Sequence, residues 1–205
     1  MASNPSLTKH WDERYASVSS EEVSWFQADP QVSLRLIDSL PLAKADPIVD
    51  VGGGASLLVD RLCDSGFNDV TVVDLSAQAL HESRARVDDP KVEWVVADIR
   101  HWQPTRQFAL WHDRAALHFL TEAADQAHYW STASASIVKG GHVIVGVFAQ
   151  DGPTMCSGLP VHRYDFDELA AAMAADFDVL RTEHEQHVTP SGAVQSFNWI
   201  LGRRR

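Results

Sequence analysis

The chain has 205 residues, enough for one domain with a sound core, and its composition, 45% hydrophobic, is that of an ordinary globular protein. A net charge of −11 argues against nucleic acid as a partner, because gripping a phosphate backbone takes a basic surface; the basic cluster Arg203-Arg204-Arg205 reads as a solvated tail. No apolar run nears the ~18 residues of a membrane span, residues 1–5 lack the regions of a leader peptide, and Cys63 and Cys156 are too few for a disulfide framework, so a cytoplasmic protein that binds no membrane is expected.

About 45 residues precede the first strand. Within them Trp11 and Tyr15 stand four apart and share one face of a helix. Residues 47–51 read as a short buried strand, Gly52-Gly53-Gly54 as a turn, and 57–65 as a helix with Ser56 at its start and Gly66 at its end. A second strand, 70–73, ends on Asp74, about 20 residues past the glycines. Ser76 caps the next helix, with Ala79, Leu80 and Val87 on its apolar side. Strand three, 91–97, runs into Asp98, and strand four covers 108–111. A helix over 121–138 stops at Lys139-Gly140-Gly141, and 142–148 form an unbroken buried strand. A further helix spans 165–175, with Phe166, Leu169 and Met173 at helical spacing. Strands at 177–180 and 194–201 flank a turn near Pro190-Ser191-Gly192, which favours an antiparallel pair.

A strand, a glycine turn, a helix and an acid closing the next strand suit a nucleoside: the glycines let the backbone approach a ligand, and the acid accepts from both ribose hydroxyls. A dinucleotide fingerprint is disfavoured, because Leu57 stands where its third glycine belongs, and with it a nicotinamide oxidoreductase. Asp50, two residues before Gly52, instead fits the pattern [DE]-x-G-x-G-x-[GS].

The order of Asp50, the glycine turn, Asp74 and Asp98 resembles the class I S-adenosylmethionine-dependent methyltransferases, in particular the small bacterial type 11/12 proteins. The resemblance covers about residues 8–203 and implies a Rossmann-like α/β fold: a seven-stranded, mostly parallel sheet with an antiparallel last strand and helices on both faces. It implies S-adenosyl-L-methionine as cofactor and S-adenosyl-L-homocysteine as product. Asp50 would lie near the methionine end, Asp74 would hold the ribose and Asp98 the adenine amino group, with Gly52, Gly54, Leu75, Ile99 and His112 in the same cofactor set. The spacing of Trp11 and Tyr15 resembles the family's N-terminal lid, so the single domain divides into a helical lid, 1–45, and a core, 46–205; the same aromatics could instead dock a helix on the sheet.

The acceptor end is read from the segment after strand four. His112 is a candidate general base with Asp113 to orient it, both taken as catalytic, so His112→Asn should abolish turnover and spare cofactor binding. His118, Cys156, Arg163 and Tyr164 are candidate substrate contacts. Pairing of Asp113 with Arg114, and a core role for His118, are the structural alternatives. No metal is expected, since the histidines are scattered. The absence of Asn-Pro-Pro-Tyr after strand four argues against methylation of adenine N6 or glutamine. The expected acceptor is the O, N or S atom of a small molecule; a protein lysine, or a binding module without catalysis, are the alternatives, and the oligomeric state stays open.

Overall fold

The computed structural model describes residues 5–205; residues 1–4, most of the segment read above for a leader, lie outside them. Two helices come first, α1 (Pro5–Ser17) and α2 (Gln31–Asp38). An alternating series follows: β1 (Ile48–Val51), α3 (Leu58–Asp64), β2 (Val70–Asp74), α4 (Ala77–Arg86), β3 (Val92–Val96), β4 (Phe108–Arg114), a 3-10 turn (Leu117–Phe119), α5 (Ala123–Ser136) and β5 (Ile137–Phe148). A two-stranded hairpin, β6 (Met155–Cys156) and β7 (Leu159–Pro160), precedes α6 (Phe166–Met173), and β8 (Phe177–Val188) and β9 (Val194–Arg204) close the chain.

The large sheet has the order β3-β2-β1-β4-β5-β9-β8. β1 to β5 pair in parallel, and β9 runs antiparallel to both β5 and β8. Parallel strands covered on both faces need apolar side chains on both, which is why 48–51 and 143–148 carry near-continuous Val and Ile. One face packs Ile48, Val72, Leu110, Ile144 and Trp199 against Leu36, Leu58, Leu62 and Leu80 of α2, α3 and α4. The other packs Val49, Trp111, Val143 and Ile200 against Tyr129, Leu169 and Met173 of α5 and α6. No helix among the described residues is long and apolar enough to cross a membrane.

Three expected boundaries move. β4 runs three residues past Trp111, to Arg114, so His112 and Asp113 belong to the strand and not to a loop beyond it. β5 begins at Ile137, directly after α5: Gly140, at φ +79°, and Gly141, where a Cβ would come within 2.9 Å of the Ala109 and Val138 carbonyl oxygens, let the strand bulge where a helix end was expected. β8 extends to Val188, and because it is the sheet edge its outer residues are charged and exposed and give no apolar run to read. The three C-terminal arginines are no solvated tail: Arg204 Nη1 donates to the Ile137 carbonyl, and Arg205 Nε pairs with Asp178 at 2.8 Å.

Candidate active site

The strand order reverses direction between β1 and β4, and the crevice beyond their carboxyl ends is where an open α/β sheet takes a ligand. A cavity of about 230 Å³ opens there. Its floor is Val51 and Gly52 after β1, Val73-Asp74-Leu75 after β2, Ala97-Asp98-Ile99 after β3 and Arg114-Ala115-Ala116 after β4. Trp11 and Tyr15 of α1, with Trp25 from the following segment and Phe119, form an aromatic wall; Trp11 meets Phe119 edge-on at 5.1 Å and Trp25 at 5.7 Å.

The glycine turn is shaped by close approach. Gly52 sits at φ +68°, and a Cβ there would lie 2.6 Å from the Ala116 Cβ. Gly54, at φ +41°, faces Asp74 Oδ2 and the Tyr15 hydroxyl, which a Cβ would meet at 2.9 and 3.1 Å. Helix α4 holds the turn from behind: Ser83 Oγ donates to the Gly54 carbonyl at 2.7 Å and Arg86 Nη2 to the Ser56 carbonyl at 2.9 Å. Ser76 caps α4, its Oγ accepting from Ala79 N–H at 3.1 Å. The same Oγ donates to Asp12 Oδ1 at 2.7 Å, which ties α1 to the start of α4.

Asp74 accepts from the Ser76 N–H at 2.8 Å. Burial, reinforced by the charge of Asp50 and only partly offset by that N–H, pushes its carboxyl from 3.8 up to about 7. A ligand whose hydroxyls donate to this carboxylate binds its ionised form, so below about pH 7 a proton competes. Affinity for S-adenosylhomocysteine is therefore expected to fall as pH drops, approaching tenfold per unit at about pH 6 and below, with the dependence removed in Asp74→Asn. Titration calorimetry at about pH 6, 7 and 8 checks this; a flat profile in the wild type would separate Asp74 from the ligand.

Asp98 is placed differently from a free acceptor. Its carboxylate takes Arg100 Nε at 2.9 Å, the Arg100 N–H at 3.0 Å and Arg100 Nη2. Burial alone would raise Asp98; the Arg100 contacts outweigh it and hold the carboxyl below its ordinary value. A carboxylate has about four acceptor sites, so little of Asp98 is left for an amino group.

The expected catalytic pair is corrected. His112 is 2% exposed; its Nδ1–H donates to Asp50 Oδ1 at 2.7 Å and its Nε2 meets Ser33 Oγ at 2.9 Å, so both ring nitrogens are engaged within the protein. Asp50 and His112 are direct partners across β1 and β4, and with Ser33 they line a small recess beside the main cavity rather than the cavity itself. Asp113 is fully buried on the opposite face, where it accepts from Ala116 N–H, Leu117 N–H and the Tyr129 hydroxyl. Neither side chain lines the main cavity. The expectation that His112→Asn abolishes turnover and spares cofactor binding therefore falls on a buried network shared with Asp50 and Ser33.

Of the expected substrate contacts, only Cys156 lines the cavity. His118 is a core histidine, stacked on Phe148 at 4.4 Å and pushed down to about 3 by burial and then by Arg114. Arg163 Nη1 turns back to the Gln150 carbonyl at 2.5 Å, and Tyr164 is buried beside His162. Sequence reasoning missed Trp25, Arg100, Arg114 and Phe119 as wall residues. Strand alternation carried to residue 114 would have put Arg114 on the same face as His112. Among the described residues no three His, Cys, Asp or Glu side chains come together as a metal site.

Against known proteins, a family model described as a methyltransferase domain matches residues 48–141. A trans-aconitate 2-methyltransferase of Azoarcus sp. is 34% identical over 43% of this chain and 35% of its own length. A tRNA1(Val) (adenine(37)-N6)-methyltransferase of Cronobacter sakazakii is 31% identical over 45% of this chain and 43% of its own. The chain thus spans less than half the length of these curated relatives. Among solved structures, the N-methyltransferase NodS of Bradyrhizobium japonicum in complex with S-adenosyl-L-homocysteine superposes with a TM-score of 0.71 over 96% of this chain and 98% of that one. At 16% identity it establishes the shared fold.

Proposed function

We propose that this chain, whose residues 48–141 match a methyltransferase-domain model and whose fold is shared with NodS, is a class I S-adenosylmethionine-dependent methyltransferase that transfers a methyl group from S-adenosyl-L-methionine to an O, N or S atom of a small molecule. The observation that carries this reading is the meeting of four strand ends, the glycine turn and the aromatic wall in one cavity at the point where the sheet order reverses.

The residues present fit the cofactor. A Cβ at Gly52 or Gly54 would fill the cradle beneath it, and Asp74 offers a carboxylate to ribose hydroxyls. Leu75 and Ile99, which line the cavity, would hold the adenine, while Asp98, largely taken up by Arg100, would offer the adenine's amino group little. Trp11 and Tyr15 of α1, which Asp12 ties to the start of α4, would form a lid over the cofactor. Asp50 acts at one remove, holding His112 under the glycine turn rather than touching a ligand. When bound, the cofactor supplies a methyl group on a positively charged sulfur, which the acceptor's lone pair displaces.

No histidine lines the main cavity among the described residues, and burial pushes the Cys156 thiol up to about 11 and the Tyr15 phenol above its ordinary value. That leaves the carboxylates Asp74, Asp98, Glu122 and Asp125 as the bases of the wall among the described residues, while an acceptor whose lone pair is already available needs alignment alone. Such an acceptor is a carboxylate, a thiolate or a neutral amine.

Titration calorimetry with S-adenosylhomocysteine, with NADH as control, tests the cofactor. Micromolar binding of the first alone is expected; binding of NADH alone would overturn the reading. Asp74→Ala should weaken S-adenosylhomocysteine by about 1–3 kcal/mol, the loss of charge-assisted hydrogen bonds. Labelled-methyl transfer into small-molecule fractions of an extract then tests catalysis; binding without transfer to any fraction would point to a module that holds the cofactor for a partner.

A further inference from the structure

Arg114 closes β4 and lines both the main cavity and the recess beside it. Its Nη1 donates to the Trp25 carbonyl at 2.8 Å, and its guanidinium lies over the Phe197 ring, 4.7 Å from the centroid. Nε and Nη2 are covered by protein, towards the cavity as well as towards bulk water, and have no hydrogen-bond partner, so a ligand in the cavity reaches them by displacing a side chain of the wall. Those two nitrogens form one edge of the guanidinium fork, the edge that takes a carboxylate through two parallel hydrogen bonds. Glu185, whose charge Arg114 feels, does not reach it; its oxygens accept from Gln27 Nε2 and Trp199 Nε1.

A buried charge is ordinarily paired, and a buried donor is ordinarily satisfied. Burial lowers Arg114 only to about 10, so the guanidinium is charged at neutral pH. Arg14 of α1 also has an unpartnered Nε, and its charge, like that of Arg114, is felt at the thiol of Cys156, which lines the cavity with Arg114. Arg100, the other cation of the wall, is already occupied by Asp98.

We propose that Arg114 is a carboxylate-binding residue, its Nε–Nη2 edge receiving a carboxylate that enters the cavity between Trp25 and Cys156. This rests on the reading that the cavity takes S-adenosylmethionine and an acceptor, and the carboxylate has two sources: the methionine end of the cofactor, or the acceptor itself. Arg114 lies at the end of β4, next to β1, and so on the side of the cavity away from the β3 end where Asp98 stands, which suits either.

The test uses the full chain and three probes. S-adenosylhomocysteine carries the methionine carboxylate, and 5′-methylthioadenosine is the matched thioether without it. A panel of small mono-, di- and tricarboxylates, with the corresponding amides as controls, is offered to protein saturated with S-adenosylhomocysteine. If the cofactor supplies the carboxylate, Arg114→Gln weakens S-adenosylhomocysteine by on the order of 30-fold and leaves 5′-methylthioadenosine unchanged. If the acceptor supplies it, both nucleosides bind as in the wild type, and the variant loses the panel carboxylates that the wild type binds in preference to their amides. Arg114→Lys, which keeps the charge but not the fork, should fall between, and its melting curve guards against a folding defect in Arg114→Gln. Equal affinity of wild type and variant for every probe, or no preference of the wild type for any carboxylate over its amide together with unchanged S-adenosylhomocysteine binding, overturns the proposal. Wild-type protein that binds neither nucleoside would instead overturn the cofactor reading, leaving Arg114 to be judged by the panel on the ligand-free protein.

Discussion

Gly54→Val is expected to remove S-adenosylhomocysteine binding by more than about 100-fold while the sheet stays assembled. Gly54 holds φ at +41°, in the left-handed region, where a β-branched residue costs about 1–2 kcal/mol. The new Cβ would stand 2.9 Å from Asp74 Oδ2 and 3.1 Å from the Tyr15 hydroxyl, and the two methyls of valine reach further. Both neighbours are ends of side chains, so they can move, but each moves out of the position in which it faces the cavity. The carboxylate proposed to hold the ribose is then displaced, a loss of about 1.5–3 kcal/mol for a charged hydrogen bond, and the valine fills the space left to the nucleoside. Gly66→Ala is the matched control: Gly66 is also at positive φ, +89°, yet no heavy atom lies within 4 Å of its Cβ position. It should lose a little stability and no affinity. Titration calorimetry beside a thermal melt separates the outcomes, and wild-type affinity in Gly54→Val would mean that the ligand does not cross the glycine turn.

The parts of this molecule that were legible in its sequence are those governed by local rules. A short apolar run followed by Gly52-Gly53-Gly54 reads as strand and turn because only those residues satisfy both conformations, and Asp74 and Asp98 stand out because acids interrupt apolar strands where the strands end. The antiparallel close of the sheet was legible from the Pro190-Ser191-Gly192 turn. What stayed hidden depends on partners distant in the chain. The polar run His112-Asp113-Arg114 looked like a reactive loop; it is a strand end whose partners are Ser33, Tyr129 and Trp25, between 16 and 89 residues away. Alternation alone separates the three, since it sends His112 and Arg114 to one face and Asp113 to the other, but it does not reveal that Asp50 and Ser33 already occupy His112 while two nitrogens of Arg114 are left over. β8 escaped for the opposite reason: an edge strand protected by charge has little hydrophobic pattern to read.

Asp113→Ala follows from that rearrangement and should act on folding rather than on chemistry. The carboxylate is fully buried and joins three donors: Ala116 N–H at 2.9 Å, Leu117 N–H at 3.1 Å and the Tyr129 hydroxyl at 2.8 Å, which itself accepts from Trp111 Nε1 at 3.0 Å. Together these fix the turn after β4, where Ala115 is held at φ +69° and Arg114 and Ala116 meet the cavity. Alanine leaves all three donors buried and unsatisfied at about 1–3 kcal/mol each, and with partial relaxation the expected loss is about 3–5 kcal/mol, or on the order of 10 °C in Tm for a domain of this size. Tyr129→Phe, which removes one donor and one acceptor together, should cost about 1 kcal/mol, and the double variant should cost less than the sum because the two share a hydrogen bond. Below its melting point Asp113→Ala should still bind S-adenosylhomocysteine, since the side chain does not line the cavity. A variant with unchanged Tm and cofactor affinity but no methyl transfer would return Asp113 to the reacting groups; a large drop in Tm with binding retained at low temperature is what a carboxylate spent on holding a turn requires.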